Sequence, residues 1–556
     1  MRKYKSRLIF VCALIAVLFV SNNLFYRFDL TAENRYTLSD NTKDVLKDLK
    51  EDIYIEVYLD GELPSSFMRL RNRIEELVGD CARLSNKGIH FRFLNPNAIG
   101  DRRKREKFIQ QLVDKGVQPT NLNRKKSDES LSQQIIFPSM LIWNSNKEMA
   151  VNLLKNNPSL DAESNINNSI ESLEYELLNA IKIIDTKNLK SIGFLTGHNE
   201  ISKVETADIG GSLADFYNVD IVTCNDISKD YNRYSTLVIA QPRKDFTEKD
   251  KFAIDQFIMN GGSTLWLVDQ VAADLDSLRY KPEIFAYFKP LNIEDMLFTY
   301  GVRINPNLVL DGQCVLIPVK TSLEGEAPKF SPAPWYYSPL VRTSQAHPIG
   351  KNINPVRMDF ANTIDTVGSN KKIKKEVLLS SSKYTRLVNI PWPVSLDIVG
   401  EKMSPAVFNK QNMTLAVLMQ GHFPSAFRHR MVNGGNSFLK ESKKAKMIVV
   451  SDGDIIRNIV SGSGKNLRIM PLGYDRYSKR TYGNKAFLLN AINYLSDNSG
   501  LMDLRAREYK LRVLDKTRLK SDRKWWQYMN LLLPLFLLFI FSLVWYYIRK
   551  KRYSKR

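Results

Sequence analysis

The chain has 556 residues, of which 44% are hydrophobic and 25% charged, and this composition excludes a wholly disordered protein. Its net charge of +22 would suit a nucleic-acid-binding protein if the cations covered one domain. Instead, the first seven residues carry four cations, the last eight carry six, and 504–524 has a surplus of six. These segments flank two apolar runs, so the charge predicts a membrane topology and no nucleic-acid partner.

The first apolar run covers 8–28 and reaches the length needed to cross a hydrocarbon core of about 30 Å. A basic segment before an apolar run is also typical of a cleaved signal peptide. No small-x-small cleavage site follows Val20, so we favour an uncleaved transmembrane helix. Residues 1–7 would then form a cytoplasmic tail, because cations collect on that side of the membrane.

Residues 29–160 are predicted to form a small α/β domain. The segments 53–59 and 90–94 are rich in β-branched and aromatic residues, which is typical of strands. Between them, apolar residues recur at spacings of three and four over 67–84, which predicts an amphipathic helix. A helix at 103–115 and strands at 134–143 and 149–154 complete the order βαβαββ. This order resembles a thioredoxin-like fold, although the sequence lacks the redox cysteine pair.

Residues 161–503 are predicted to form a second α/β domain. It begins with a helix at 165–184, and helices then alternate with hydrophobic strands at 191–196, 219–223, 236–240 and 265–268. Such alternation predicts a parallel, doubly wound sheet. Proline and aromatic residues mark 280–440 as a β-rich insertion in this sheet or packed on it. The strand 447–450 and the helix 485–495 complete the domain.

The second apolar run lies at 528–548, between aromatic residues that suit the two water–lipid interfaces. Two spans place both termini, including the tail 549–556, in the cytoplasm, and most of the chain in the periplasm of a bacterial inner membrane. The basic juxtamembrane linker 504–527 lies on the side that the positive-inside rule does not favour. It is either a solvated linker or a contact with lipid headgroups or an acidic partner.

Acidic residues follow two predicted strands, at Asp269 and at Asp452 and Asp454. Open parallel sheets bind ligands at the carboxyl ends of their strands, but Asp also simply forms turns there. His198, in the loop after another strand, could act as a base. No paired-histidine, nucleophile-elbow or metal-ligand motif accompanies these residues, and the polar loop 461–465 departs from a phosphate-binding loop. The sequence therefore predicts no catalysis, no cofactor and no metal.

The four cysteines support that interpretation, because they are widely spaced and form no C-x-x-C pair. Cys12 lies in the first predicted span, which leaves Cys81, Cys224 and Cys314 in the ectodomain. Cys81 lies on the apolar stripe of a predicted helix, where a buried small side chain is expected.

An aromatic and proline-rich run surrounds Trp335, Tyr336 and Tyr337. Aromatic side chains often anchor binding surfaces, so these three are candidate contacts for a ligand or partner. Packing in the core against the sheet is at least as compatible with the sequence.

Several further runs occur in a characteristic order along the chain. They are RFDLT at 27–31, RYTLS at 35–39, VYLDG at 57–61, LWLVDQ at 265–270, YGVRINP at 300–306, YSPL at 337–340, SDGDII at 451–456 and YGNK at 482–485. Together they resemble the family of gliding-motility ABC-transporter auxiliary proteins called GldG. The resemblance covers nearly the whole chain, including both predicted spans.

The resemblance implies an auxiliary, substrate-binding-like subunit whose partners are an ABC permease and a cytoplasmic ABC ATPase. It also implies a link to gliding motility and surface-protein export, and an amidotransferase-like fold without its catalytic cysteine. No catalytic residues are assigned in that family, so none are implied here. Two alternatives stay open, a periplasmic hydrolase that uses Asp269, Asp452 or His198, and a purely structural scaffold of the envelope.

Overall fold

The computed structural model describes residues 37–553, apart from 126–130, 156, 158–159, 187–188, 323–326, 328, 369, 402, 431–437, 463, 498–499 and 507–520. The described residues belong to two compact units, one that contains 37–506 and one that contains the C-terminal helix. The predicted tail 1–7 and the predicted span 8–28 lie outside the described residues, as does most of the predicted linker 504–527.

The N-terminal part of the larger unit is a small mixed α/β arrangement. It contains α1 (Asp40–Lys47), β1 (Ile53–Val57), α2 (Ser65–Leu84), β2 (Ile89–Phe93), α3 (Arg102–Asp114), β3 (Thr120–Lys125), β4 (Leu131–Ile136), β5 (Ser139–Trp143) and β6 (Glu148–Asn152). Strands β2, β1, β5 and β6 form one sheet in that order, and β1 is parallel to β2 and antiparallel to β5. Strands β3 and β4 form a separate hairpin. The strand predicted at 134–143 is thus divided at Pro138, which has no N–H to donate to a ladder.

Helix α2 lies against this sheet as its apolar spacing predicts. It buries Phe67, Leu70, Ile74 and Leu77, and Cys81 is fully buried beside them. The next helix, α4 (Ala162–Asp185), contributes its own apolar stripe to the same hydrophobic core.

The remainder of the larger unit is built on a ten-stranded sheet. Its helices are α5 (Ala207–Ala214), α6 (Cys224–Lys229), α7 (Glu248–Met259), α8 (Glu294–Tyr300) and α9 (Asn484–Ser496). Its strands are β7 (Ser191–Leu195), β8 (Asn218–Val222), β9 (Thr236–Ala240), β10 (Ser263–Leu267), β11 (Val271–Ala272), β12 (Glu283–Phe288), β13 (Val302–Ile304), β14 (Asn307–Asp311), β15 (Cys314–Lys320), β16 (Phe330–Thr343), β17 (Val356–Arg357), β18 (Ile364–Thr366), β19 (Ile373–Ser380), β20 (Thr385–Asn389), β21 (Trp392–Ser395), β22 (Thr414–Gly421), β23 (Ala445–Val450), β24 (Val460–Ser461) and β25 (Arg468–Ile469).

One half of the large sheet is parallel. Strands β8, β7, β9, β10 and β23 are neighbours in that order and all run in the same direction. Helices cover both faces, because Leu265 and Leu267 of β10 pack in one hydrophobic cluster and Trp266 packs in another on the opposite face. The α/β class predicted from the alternation of strands and helices is therefore confirmed.

The predicted insertion supplies the other half of the same sheet. Strands β22, β19, β16 and β15 continue outward from β23, and each pair is antiparallel. Smaller strand pairs of the insertion, including β12 with β21 and β14 with β20, form separate sheets. The insertion thus both extends the sheet and adds separate small sheets.

Gly421 closes β22 in a conformation that only glycine adopts without strain. Its φ is +146°, and an added Cβ would overlap the carbonyl oxygen of Lys372, the residue just before the neighbouring strand β19. We expect Gly421→Ala to lower the free energy of unfolding by about 2–3 kcal/mol. Thermal unfolding of the detergent-solubilised chain measures this loss. Gly400→Ala, where an added Cβ meets nothing within 4 Å, is the control and should change stability by less than about 0.5 kcal/mol.

The C-terminal unit contains the helix α10 (Arg523–Tyr553), which has 31 residues. At 1.5 Å per residue its length is about 46 Å, more than a hydrocarbon core of about 30 Å requires. Its side chains are not buried against protein, and among the described residues it is the one helix long and apolar enough to cross a membrane. The span predicted at 528–548 lies within it.

Candidate functional site

The carboxyl ends of the parallel strands meet at one edge of the sheet, where ligands bind in open α/β folds. Asp269 follows β10, and Asp452 and Asp454 follow the adjacent strand β23. Carboxylate oxygens of these three residues lie within 4.8 Å of one another. The structure therefore brings together the three acidic residues that the sequence analysis selected.

Backbone hydrogen bonds hold this acidic cluster in place. Asp269 accepts a bond of 2.5 Å from the N–H of Gly453, and Asp452 accepts one of 2.7 Å from the N–H of Asp454. The second oxygen of Asp452 accepts a bond of 2.8 Å from the N–H of Asp359. Asp359 lies in the insertion, so a residue of the insertion contacts the cluster through its backbone, which the sequence does not predict.

Burial and the neighbouring carboxylates make the ionisation of Asp452 and Asp454 unfavourable. Asp452 is fully buried, and this burial, followed by the charges of Asp269 and Asp454, raises its pKa well above the usual range. Burial, followed by the charges of Asp269 and Asp359, raises the pKa of Asp454 to about 7. Clustered carboxylate oxygens suit a divalent cation, and a carboxyl group with a pKa near 7 suits proton transfer.

Stability should therefore depend on the ionisation of Asp454. An unfolded Asp ionises near pH 3.9, so as the pH rises toward 7 the unfolded chain loses this proton first and the folded state becomes less stable. Asp454→Asn cannot ionise, and we expect it to exceed the wild type by about 2–4 kcal/mol in unfolding free energy at pH 8. This advantage should shrink as the pH falls toward 5.

Thermal unfolding of both chains across this pH range measures the effect. Asp245→Asn, a change at an exposed carboxylate, is the matched control and should show no such trend. An advantage of Asp454→Asn that stays constant from pH 5 to pH 8 would contradict the raised pKa.

A cleft of about 440 Å³ opens beside the acidic cluster. Its walls carry charges of both signs, including Asp359, Asp454, Arg357 and Arg457, together with the ring of Tyr477. Arg357 pairs with Asp359 at 3.1 Å, so much of the charge is already balanced within the protein. The charged groups of both signs on these walls suit a polar ligand.

His198 lies in a second cluster and contacts a different set of residues. Its Nδ1 is 3.1 Å from a carboxylate oxygen of Glu200, and its Nε2 is 3.4 Å from one of Asp250. Its ring stacks on that of Phe246 with centroids 3.7 Å apart. A ring nitrogen of His198, the Sγ atom of Cys224 and a carboxylate oxygen of Asp250 all lie within 4.8 Å of one another.

His198 is a candidate from the sequence, whereas its partners are not. Cys224 begins α6, and Asp250 lies in the first turn of α7, so the three residues come from three different connections of the parallel sheet. No spacing motif links them. The available signal was topological, because each residue follows the carboxyl end of one of three neighbouring strands.

Trp335, Tyr336 and Tyr337 lie in the core, which corrects their interpretation as candidate contacts. Their exposed fractions are 0%, 4% and 1%, because the insertion covers both faces of β16. The hydroxyl of Tyr337 accepts a hydrogen bond of 2.8 Å from Trp392 Nε1. Of the two interpretations open from the sequence, core packing describes their position.

Comparisons with known proteins cover most of the chain. Residues 189–491 match the model of a family described as an ABC-type uncharacterized transport system, and 32–143 match a domain of unknown function, DUF7088. An uncharacterized protein of Borreliella burgdorferi is 19% identical over 463 residues, which cover 80% of each chain. Among solved structures, the mmIFT52 N-terminal domain is 12% identical, with a TM-score of 0.30, and the match covers 56% of this chain and 98% of that one.

Proposed function

The chain belongs to the ABC-type uncharacterized transport system family, whose name denotes auxiliary components, and we propose that it is a non-catalytic, membrane-anchored subunit of an ABC transporter. The observation that carries the proposal is the family match over 189–491, which is more than half of the chain. Helix α10 supports association with a membrane. The proposed partners are a multispanning ABC permease and a cytoplasmic ABC ATPase, which would supply the energy.

The proposed topology has two spans, at 8–28 and 528–548, with both termini in the cytoplasm and the bulk of the chain in the periplasm of a bacterial inner membrane. Lys550, Lys551 and Arg552 at the end of α10 support the orientation of the second span, because cations collect on the cytoplasmic side.

Two finer assignments extend the proposal. The sheet order β2-β1-β5-β6 supports a thioredoxin-like fold for 29–160, and the parallel half of the large sheet supports an amidotransferase-like fold for 161–503. The sequence runs that resemble GldG support a system for gliding motility and surface-protein export.

The proposed binding site for the substrate or envelope partner is the cleft beside the acidic cluster. It lies at the carboxyl edge of the parallel strands, and it presents carboxylates, guanidinium groups and tyrosine rings. A ligand with both donor and acceptor groups would match this lining, because the walls present charged groups of both signs.

A periplasmic hydrolase remains the second candidate, because Asp454, with a pKa of about 7, lines the cleft and lies beside two more carboxyl groups. The proposal of no catalysis requires that alanine variants of Asp269, Asp452 and His198 keep the cellular phenotype when their protein levels are normal. Loss of the phenotype in variants that accumulate normally would favour the hydrolase.

Genetics tests the main proposal against the alternative of a structural scaffold. If the chain works with an ATPase, a strain whose ABC ATPase is inactivated should show the same phenotype as a strain that lacks this chain, and a double mutant should be no worse. A scaffold of the envelope predicts that inactivation of the ATPase does not reproduce loss of the chain.

A further inference from the structure

We propose that His198, Cys224 and Asp250 form a binding site for a transition-metal ion of the zinc class, with Glu200 as the residue that positions the histidine. This inference concerns a site separate from the cleft, and it does not depend on the proposed transporter function.

The three residues offer the ligand types that such an ion prefers. A histidine nitrogen, a cysteine sulfur and a carboxylate oxygen are the donors of zinc sites in proteins. Here they come together from the loop after β7, the start of α6 and the first turn of α7, within 4.8 Å of one another. The same Asp250 carboxylate that His198 faces thus lies close to the Cys224 sulfur.

The two sides of the His198 ring differ in a way that favours a metal on one side only. On the Glu200 side, Nδ1 is 3.1 Å from the carboxylate oxygen, which is an ordinary hydrogen-bond distance. On the Asp250 side, the separation from Nε2 is 3.4 Å, which is long for a hydrogen bond. Two ligands about 2.0–2.1 Å from a tetrahedral ion lie about 3.3 Å apart, so this separation fits two donors of a shared ion.

Glu200 provides the outer contact that metal-binding histidines usually have. Its side chain is only 3% exposed, and its second oxygen accepts a bond of 2.7 Å from the backbone N–H of His198. The carboxylate is therefore fixed on the loop that carries the histidine, and its bond to Nδ1 directs Nε2 toward Cys224 and Asp250. The ring of Phe246 restricts the imidazole further by stacking on it.

The three candidate ligands are mostly shielded from solvent, but one of them is partly exposed. His198 and Cys224 are 6% and 5% exposed, while a quarter of the Asp250 side chain is exposed and offers a route for the ion. Three protein ligands leave a fourth tetrahedral position for water. Binding would release the thiol proton of Cys224 to solvent, and the thiolate and carboxylate would balance the two charges of the ion.

A protonated histidine between two carboxylates is the competing explanation. It would account for the contacts of His198 with Glu200 and Asp250, and it leaves Cys224 as a small buried side chain of the hydrophobic core. The two explanations differ in a measurable way, because only a metal site binds an ion through sulfur.

The test is a titration of the full chain, purified in detergent and freed of metal with a chelator, with Co²⁺ at pH 7.5. We expect the visible absorption bands of tetrahedral Co²⁺ and a thiolate-to-metal band in the near ultraviolet, and both should disappear when Zn²⁺ is added. The thiolate band distinguishes this site from the acidic cluster, which has no sulfur ligand. Absence of the thiolate band in the wild-type chain would overturn the proposal without any variant.

Variants then assign the ligands. Cys224→Ala should abolish the thiolate band, and Glu200→Gln should weaken Co²⁺ binding about 10–100-fold while the band persists at saturation. Cys314→Ala is the matched control, because Cys314 is another free cysteine of the same unit, although it is only half-buried. A thiolate band that survives in Cys224→Ala, or disappears in Cys314→Ala, would overturn the assignment.

Discussion

Replacement of Asp255 by alanine should lower the free energy of unfolding by about 3–5 kcal/mol. This carboxylate is fully buried in α7 and accepts four hydrogen bonds. The donors are the hydroxyls of Tyr300 and Ser425 and the backbone N–H of Ala426, each at 2.8 Å, and the side-chain amide of Gln256 at 3.0 Å. Alanine would leave these donors without their acceptor in a region that water does not reach.

The bonds matter because they join separate segments of the chain. Asp255 belongs to a helix of the parallel half of the sheet, whereas Tyr300 ends α8 and Ser425 follows β22 in the insertion. One carboxylate therefore fixes two parts of the insertion to the helix that precedes β10. We therefore expect removal of the Asp255 carboxylate to weaken the packing of both parts of the insertion against this helix.

Thermal unfolding of the detergent-solubilised chain, followed through its tryptophan fluorescence, measures the change. Asp255→Asn keeps the shape and part of the acceptor capacity, so its loss should be smaller, about 1–2 kcal/mol. Asp245→Ala removes an exposed carboxylate from the loop before the same helix and should change stability by less than about 0.5 kcal/mol. Equal effects of Asp255→Ala and Asp245→Ala would refute the buried network.

Exchange of residues 528–548 for an unrelated apolar helix should keep the chain in the membrane but reduce recovery of the permease more than tenfold. Apolar character alone is enough for insertion. Helices in a bilayer associate through shape and specific contacts, and the loss of about 1.4 kcal/mol of such contact already reduces affinity about tenfold. Membrane fractionation is the control for insertion. Undiminished recovery of the permease would show that this span is only an anchor.

The sequence predicted those parts of the fold whose signal is local. The apolar stripe of α2, the continuous hydrophobic strand β10 and the apolar run in α10 each determine their element without help from distant residues. The extension of the sheet by β22, β19 and β16 could not be predicted in the same way. Antiparallel pairing across long stretches of chain depends on which edges meet, and a single sequence carries no direct signal for that.

The same distinction applies to the candidate sites. Asp269, Asp452 and Asp454 could be selected because the end of each strand is visible in the sequence and parallel strands share one edge. Asp359 and Asp250 lack such a signal, since one lies within the irregular insertion and the other resembles an ordinary helix-capping residue. The burial of Trp335 could not be predicted either, because an aromatic run has the same sequence pattern whether it is exposed or buried.

The most direct test of the account is affinity purification of the full chain from native membranes in a mild detergent, with identification of the proteins that accompany it. The family assignment and the helix α10 predict that an ABC permease and an ABC ATPase are recovered with it in fixed ratios. A parallel purification with the helix-exchanged chain is the control for non-specific capture. Recovery of neither partner with the wild-type chain would contradict its role as a transporter subunit.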